Sequence, residues 1–285
     1  LQGTELTVPN FPASGGTVAA ANEADLWTIQ GWLGRINYNY LGKYLVTANI
    51  RRDATSRFGK GFRSGIFPSL SAGWRISEEE FFTKGNLLNK LKLRVSWGQN
   101  GNQEIEDSFS FLSQLNTNIF YVVGDNQRVV NGPAPVQFSN PALTWEIISQ
   151  FDLGLDFTMF DEKLNFTFDY YNKRSKDVLL GVPLPLVSGF FLPSFANIGS
   201  IRNTGLEISF DYENRIGYFS YNIGANLTTV KNTVSDLGTI SQITSGVGGQ
   251  ETHRTLVGES LAHFYGFKTN GLYQNVDVLY KFDWD

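Results

Sequence analysis

The feature that most constrains this chain is an alternation of apolar and polar residues with a period of two, repeated in segment after segment. Across 145–157 the odd positions read Trp, Ile, Ser, Phe, Leu, Leu and Phe, and the even positions Glu, Ile, Gln, Asp, Gly and Asp. Neighbouring side chains on an extended strand point to opposite faces, so each such segment reads as a strand with one apolar and one polar side. The pattern recurs over 32–40, 44–51, 66–76, 91–98, 164–171, 206–213 and 219–227. Leu45 and Ile148 break it by falling on the polar side. Pro68 falls on the apolar side near one segment's end, where its missing N–H implies a thinned hydrogen-bond ladder.

A soluble β-sandwich also alternates. Three features favour a membrane-spanning barrel instead. The segments run about ten residues, the length a tilted strand needs to cross a bilayer. Trp, Tyr and Phe gather near segment ends, as interfacial girdles do. The connections also sort by length. Short links at 41–43, 161–163 and 214–217 interleave with long ones at 99–143, 176–202 and 231–260. Barrels of the outer membrane keep short turns inside and long loops outside. One short-side link is longer: Ser77, Glu78, Glu79 and Glu80 have capping-box spacing, Phe81 and Phe82 follow, and Gly85 could end the helix. That predicts one or two helical turns under the rim.

Composition excludes several alternatives. Lys+Arg number 23 against 27 Asp+Glu, a net charge of -4, so no general affinity for nucleic acid is implied. There is no cysteine, which removes disulfides and thiolate chemistry. No apolar run reaches the length of a transmembrane helix, and Leu1-Gln2-Gly3-Thr4 does not read as a signal peptide. Both ends read as cut from something longer. The fold class expected is all-β, an antiparallel transmembrane β-barrel segment.

Particular motifs carry a family resemblance. The stretch from Arg51-Arg52-Asp53-Ala54-Thr55-Ser56-Arg57-Phe58-Gly59 through Phe67-Pro68-Ser69-Leu70-Ser71-Ala72-Gly73-Trp74-Arg75 resembles a signature of SusC/RagA-type TonB-dependent transporters. Leu91-Lys92-Leu93-Arg94, Asn140-Pro141, Leu143-Thr144-Trp145-Glu146, Asp169-Tyr170-Tyr171 and Asn203-Thr204-Gly205-Leu206-Glu207 are similar to later blocks in the same order, as is 264–274. The resemblance implies a barrel of roughly 22 strands with a plugged lumen, of which this chain supplies about eight or nine. On that reading 1–285 is a single partial barrel domain, and the plug, the TonB-binding segment and the terminal strand lie elsewhere. It also implies residence in the outer membrane of a Gram-negative bacterium, a SusD-like surface lipoprotein as partner, the TonB complex as energy source, and oligosaccharide or peptide as substrate.

No catalytic constellation stands out. His253 and His263 are far apart and lack a carboxylate pair, so metal spacing is absent, no cofactor is expected, and an enzyme is not. Gly59-Lys60-Gly61 with Gly65 precedes a strand instead of a helix, which makes it a turn. Arg51, Arg52, Arg57, Lys60 and Arg63 form a basic cluster at an outer loop, either solvated or facing lipopolysaccharide, an acidic substrate or a partner. The apolar stretch 182–195, with Pro183, Pro185, Phe190, Phe191 and Pro193, is expected to pack on a plug, neighbouring loops or a partner. Tyr121, Phe190, Phe191 and Tyr265 are candidates for stacking on sugar rings or for loop packing. Transport by binding and gating is the leading reading. A barrel enzyme would need acid, Ser or His groups at the strand tops; a soluble glycan-binding sandwich would not need asymmetric loops.

Overall fold

The computed structural model describes residues 26–268 apart from 84, 86, 106–109, 114, 136, 183–185, 191–193 and 248–249. In chain order the strands are β1 (Ile29–Tyr40), β2 (Tyr44–Thr55), β3 (Ser64–Arg75), β4 (Leu88–Asn102), β5 (Leu115–Val123), β6 (Arg128–Pro135), β7 (Glu146–Met159) and β8 (Leu164–Lys176). There follow β9 (Leu179–Val182), β10 (Ser194–Asn197), β11 (Ser200–Ile216), β12 (Phe219–Thr228), β13 (Lys231–Asp236), β14 (Gln242–Val247), β15 (Gln250–Leu256) and β16 (His263–Phe264).

One antiparallel sheet dominates, ordered β1-β2-β3-β4-β7-β8-β11-β12, with β13 also on β11. Every alternating segment of the sequence falls on one of these strands, apart from the end residues Ile76 and Trp145. β12 and β13 act as one long strand: Thr228 pairs with Glu207 and Lys231 with Thr204, and between them the Thr229 amide donates to the Leu206 carbonyl at 2.8 Å, so the register carries through. The sheet is not closed among the described residues. The long links hold their own small hairpins, β5–β6, β9–β10 and β14–β15–β16. β16 pairs with β15 and not with the large sheet.

The short links are tight because their residues take left-handed backbone. Leu41 and Gly42 turn β1 into β2 at φ 52° and 69°, and Gly217 begins the turn into β12 at φ 63°. These mirror-image turns match the twist of the strands they join. The third link is shorter than its sequence implies, because β11 runs on through Ile216.

Of the one or two helical turns expected after β3 only one forms, and without the capping box. A single 3-10 turn covers Ile76–Glu78, its N-cap is Arg75 with no side-chain cap, and Glu79 is already extended at φ −79°, ψ 149°. Ser77 lies inside the turn, so it cannot cap it. Glu79 is held elsewhere: its carboxylate accepts from the Trp74 indole at 3.0 Å and pairs with Lys43 at 3.2 Å. The Tyr44 hydroxyl and then the Trp74 indole hold that carboxyl below the usual glutamate range. The same short-turn end carries a file of rings, Tyr38, Tyr40, Tyr44 and Trp74, with neighbouring centroids 6.4–6.5 Å apart.

At the opposite end Pro68 acts as expected. It pairs with Ile50 of β2, but the β3–β4 ladder begins only at Ser69↔Gly98. Beyond that point β3 leaves β4, and the buried core of the molecule fills in: Phe58, Phe67, Ile105, Leu143 and Trp145. Trp145 therefore does not join the apolar face as its place in the alternation implied. β7 starts one residue later, and the ring packs edge-on to Phe58 and Phe67 while its indole donates to the Arg63 carbonyl at 2.9 Å.

Candidate functional site

Cross-strand register turns the polar alternation into rows that run across the sheet. One row reads Asn37, Thr47, Ser71, Ser96, Asp152, Tyr171, Gly205; the next reads Leu45, Gly73, Arg94, Gly154, Asp169, Glu207. A third begins Arg75, Lys92, Asp156, Thr167, Ser209. Leu45 is the exception in these rows, and it lies over Gly73. Ile148 has company, since its own row holds Ile201 and the buried Val234.

Side-chain bonds tie the rows together. Thr47 donates to Asn37 at 2.9 Å, Asn49 to Ser69 at 3.0 Å, and Ser96 to Asp152 at 2.9 Å. Arg94 forks onto Asp156 at 2.8 and 2.9 Å and reaches Asp169 two strands away at 3.1 Å. A charged fork of this kind is both strong and directional. It needs Gly154: a side chain there would collide with Asp169 and the Arg94 guanidinium. Tyr171 repeats the device. Its registered partner is Gly205, and the phenol passes over that glycine to donate to the Thr229 carbonyl at 3.3 Å. Any Cβ at Gly205 would strike Thr229 and the phenol.

Shallow clefts lie along this face. One of about 280 Å³ is lined by Leu45, Gly73, Lys92, Arg94 and Asp152, and another of about 440 Å³ by Asp152, Asp169, Tyr171, Lys173 and Glu207. They offer alternating donors and acceptors with no nucleophile–base pair. Among the described residues no three metal-ligating side chains converge.

The loops at the far end place the residues singled out from sequence. Arg57 is buried, bonded to the Gln103 carbonyl at 3.5 Å and to Glu104 at 3.3 Å, and lies 4.3 Å over the Trp27 ring. Arg63 donates to the Phe58 carbonyl at 3.0 Å, Arg51 pairs with Asp53 at 2.7 Å, and Lys60 stands exposed in the turn. The basic cluster is thus largely spent on holding its own loop. Tyr121 is half-exposed on β5, Phe190 meets Phe138 edge-on at 6.0 Å, and Tyr265 lies under the Arg254 guanidinium at 3.6 Å. These three are not gathered into one site. Phe191, Pro183, Pro185 and Pro193 lie outside the described residues, as does 269–274. The base of the apolar stretch packs on neighbouring loops, with Phe195 and Leu179 against the Phe58 cluster.

This arrangement has known counterparts. The family model described as TonB dependent receptor-like, beta-barrel matches residues 5–271. The chain belongs to the TonB-dependent receptor-like β-barrel family. Among its relatives are TonB-dependent receptor P39 of Formosa agariphila, 38% identical over 88% of this chain and 23% of the relative, and TonB-dependent receptor SusC of Bacteroides thetaiotaomicron, 35% identical over 74% and 21%. The solved RagAB peptide importer superposes with a TM-score of 0.71 at 26% identity, over 82% of this chain and 25% of that one. The chain therefore spans about a quarter of the length of the proteins it matches.

For this TonB-dependent receptor wall, the sequence motifs acquire physical reasons. Asp169 and Tyr171 of the Asp169-Tyr170-Tyr171 block are the groups that reach over Gly154 and Gly205. The Asn203-Thr204-Gly205 block supplies the space. Those two bridges were missed in the sequence, although both glycines sit at polar-side positions where a side chain was to be expected.

Proposed function

We propose that this chain is part of the wall of an outer-membrane transporter that imports oligosaccharides or peptides, is energised through TonB and works with a SusD-like surface lipoprotein. The observation that carries the reading is the division of each strand between two media. Outward positions such as Trp32, Ile36, Leu70, Trp97, Phe151 and Leu153 are apolar and exposed, whereas the inward rows are almost wholly polar or glycine. A barrel enclosing water within lipid needs that division along the full strand height. The likeness to a peptide importer supports the peptide branch of the substrate class, and the polar clefts suit the hydrogen-bonding groups of either. Residues 1–285 form one partial barrel domain, with plug and TonB-binding segment supplied by the rest of the protein. The outer loops, including Tyr121, Phe190, Phe191, Lys60 and Tyr265, meet substrate or partner.

The test is uptake by a strain deleted for the full-length gene and complemented with it, over a panel of oligosaccharides and peptides. The expected result is gene-dependent uptake of one class, abolished when TonB is inactivated. Uptake that continues without TonB, or no gene-dependent uptake at all, overturns the reading.

A further inference from the structure

Towards the loops the outward face of β8, β11 and β13 turns basic, while Ile50, Ile66 and Trp32 keep it apolar on β1–β3. Trp97, Phe151, Asn172, Thr204 and Lys231 form one registered row, and Ser149, Arg174, Arg202 and Thr233 the next towards the loops. Lys176 stands in the row beyond. The four cations are exposed, and none forms an ion pair among the described residues. Arg174 and Arg202 face each other as direct cross-strand partners, a like-charge placement that costs stability. The acid in register with this patch is Asp236 at the end of β13, and it accepts from the Gly238 amide at 3.0 Å in its own turn. Arg202 is also steered: its Nε donates to Asn172 at 3.1 Å. A cleft of about 530 Å³ is lined by Arg174, Arg202 and Asn172, with Trp97 and Phe151 as its apolar part.

We propose that this cleft binds the phosphate of a phosphorylated glycolipid in the surrounding outer leaflet. The inference rests on the reading of this chain as an outer-membrane wall with its long loops outside. Three observations choose the occupant. Arg174 and Arg202 stand one registered row beyond the Trp97 and Phe151 rings, and aromatic rings mark the interface at which headgroup phosphates lie. Two guanidiniums without counter-charges among the described residues match a phosphate, which takes their paired N–H donors. The cleft's apolar part continues into the surface that acyl chains cover, so one amphiphile meets both parts. A soluble anion would use only the upper half.

The full-length protein, purified in detergent, is equilibrated with lipid A, with dephosphorylated lipid A and with inorganic phosphate, and bound ligand is counted by native mass spectrometry. The expected result is selective retention of lipid A. Arg174→Gln combined with Arg202→Gln should lower that retention roughly tenfold, and Lys173→Gln, on the inward side of the same strand, should leave it unchanged. Equal retention of both lipids by the parent protein overturns the proposal, and that comparison needs no variant to fold. So does unchanged retention by the double variant, or binding of inorganic phosphate as tight as that of lipid A. If the wall reading itself fails, neither lipid binds; if only the phosphate site fails, both bind alike.

Discussion

The sheet and the crown of loops above it are held together by different means. In the sheet, each inner strand leans on two neighbours through a regular ladder, and its apolar side chains are left exposed for lipid to cover. Few of its side chains are buried by protein. In the crown the ladders have thinned at Pro68, the chain is irregular, and the molecule builds a core of its own from Phe58, Leu143, Phe67, Trp145 and Ile105. The difference teaches that the wall takes its stability from backbone pairing and its solvent, whereas the crown takes it from side-chain packing. Each therefore fails separately.

The sharpest way to break this contrast is Phe58→Ala. The side chain is fully buried, and its removal should cost about 3–5 kcal/mol locally. Limited proteolysis of the full-length protein should show faster cleavage in the outer loops, with the barrel's resistance to heating in detergent unchanged. If the barrel melts with the loops, crown and wall are one unit.

Leu153→Arg attacks the other region. With its outward side chain near mid-strand, the substitution should cost about 2–4 kcal/mol, read as folded fraction after detergent refolding. Asp152→Arg, one residue away and inward, should cost much less, though it loses the Ser96 bond. A spin label at 153 should be reached by a lipid-phase quencher and not by an aqueous one; a label shielded from both would place Leu153 in a protein core.

A smaller effect is expected on the inward face of the wall. Tyr171→Phe removes the hydroxyl that crosses Gly205 and should cost about 0.5–1.5 kcal/mol, seen as faster amide hydrogen exchange around Thr229. Exchange that does not change would mean the phenol contributes packing alone.

The smallest effect concerns the short-turn rim. Glu79 is held below the usual glutamate range by the Tyr44 hydroxyl and the Trp74 indole. A carboxyl with a lowered folded pKa stabilises above the ordinary glutamate value, and that contribution is lost as pH falls through the lowered value. The melting temperature of Glu79→Gln should sit slightly below the parent's near neutral pH, and the gap should close on acidification. A gap that stays constant would assign it to shape and not to charge.

The wall was legible in the sequence because period two survives wherever a strand separates two media: 146–157 and 206–213 read face by face without any knowledge of pairing. The crown was not, because packing among Phe58, Leu143 and Trp145 follows no period, and Trp145 shares an alternation whose strand begins only at Glu146. The rim capping box failed for a related reason, since its spacing says nothing of Lys43 in the β1–β2 turn and Trp74 at the end of β3, which hold Glu79 instead. Gly154 and Gly205 needed the register: only pairing reveals that Asp169 and Tyr171 must pass over them. Of the loop candidates, Arg57 reads as basic in sequence and is buried as a strut, a distinction set by Gln103 and Glu104 far along the chain.

The early parting of β3 from β4 has a mechanical consequence. A wall of strands loaded sideways opens at the joint with the shortest ladder, and this one stops at Ser69↔Gly98 while β4 stays paired with β7 as far as Asn102↔Glu146. The joint is a seam, stitched above its last rung by the rings of Phe67 and Trp145 and by the bond from the indole to Arg63. Force applied to the loops would therefore part this joint before its neighbours, while the lower part of the same strands stays zipped to the turns.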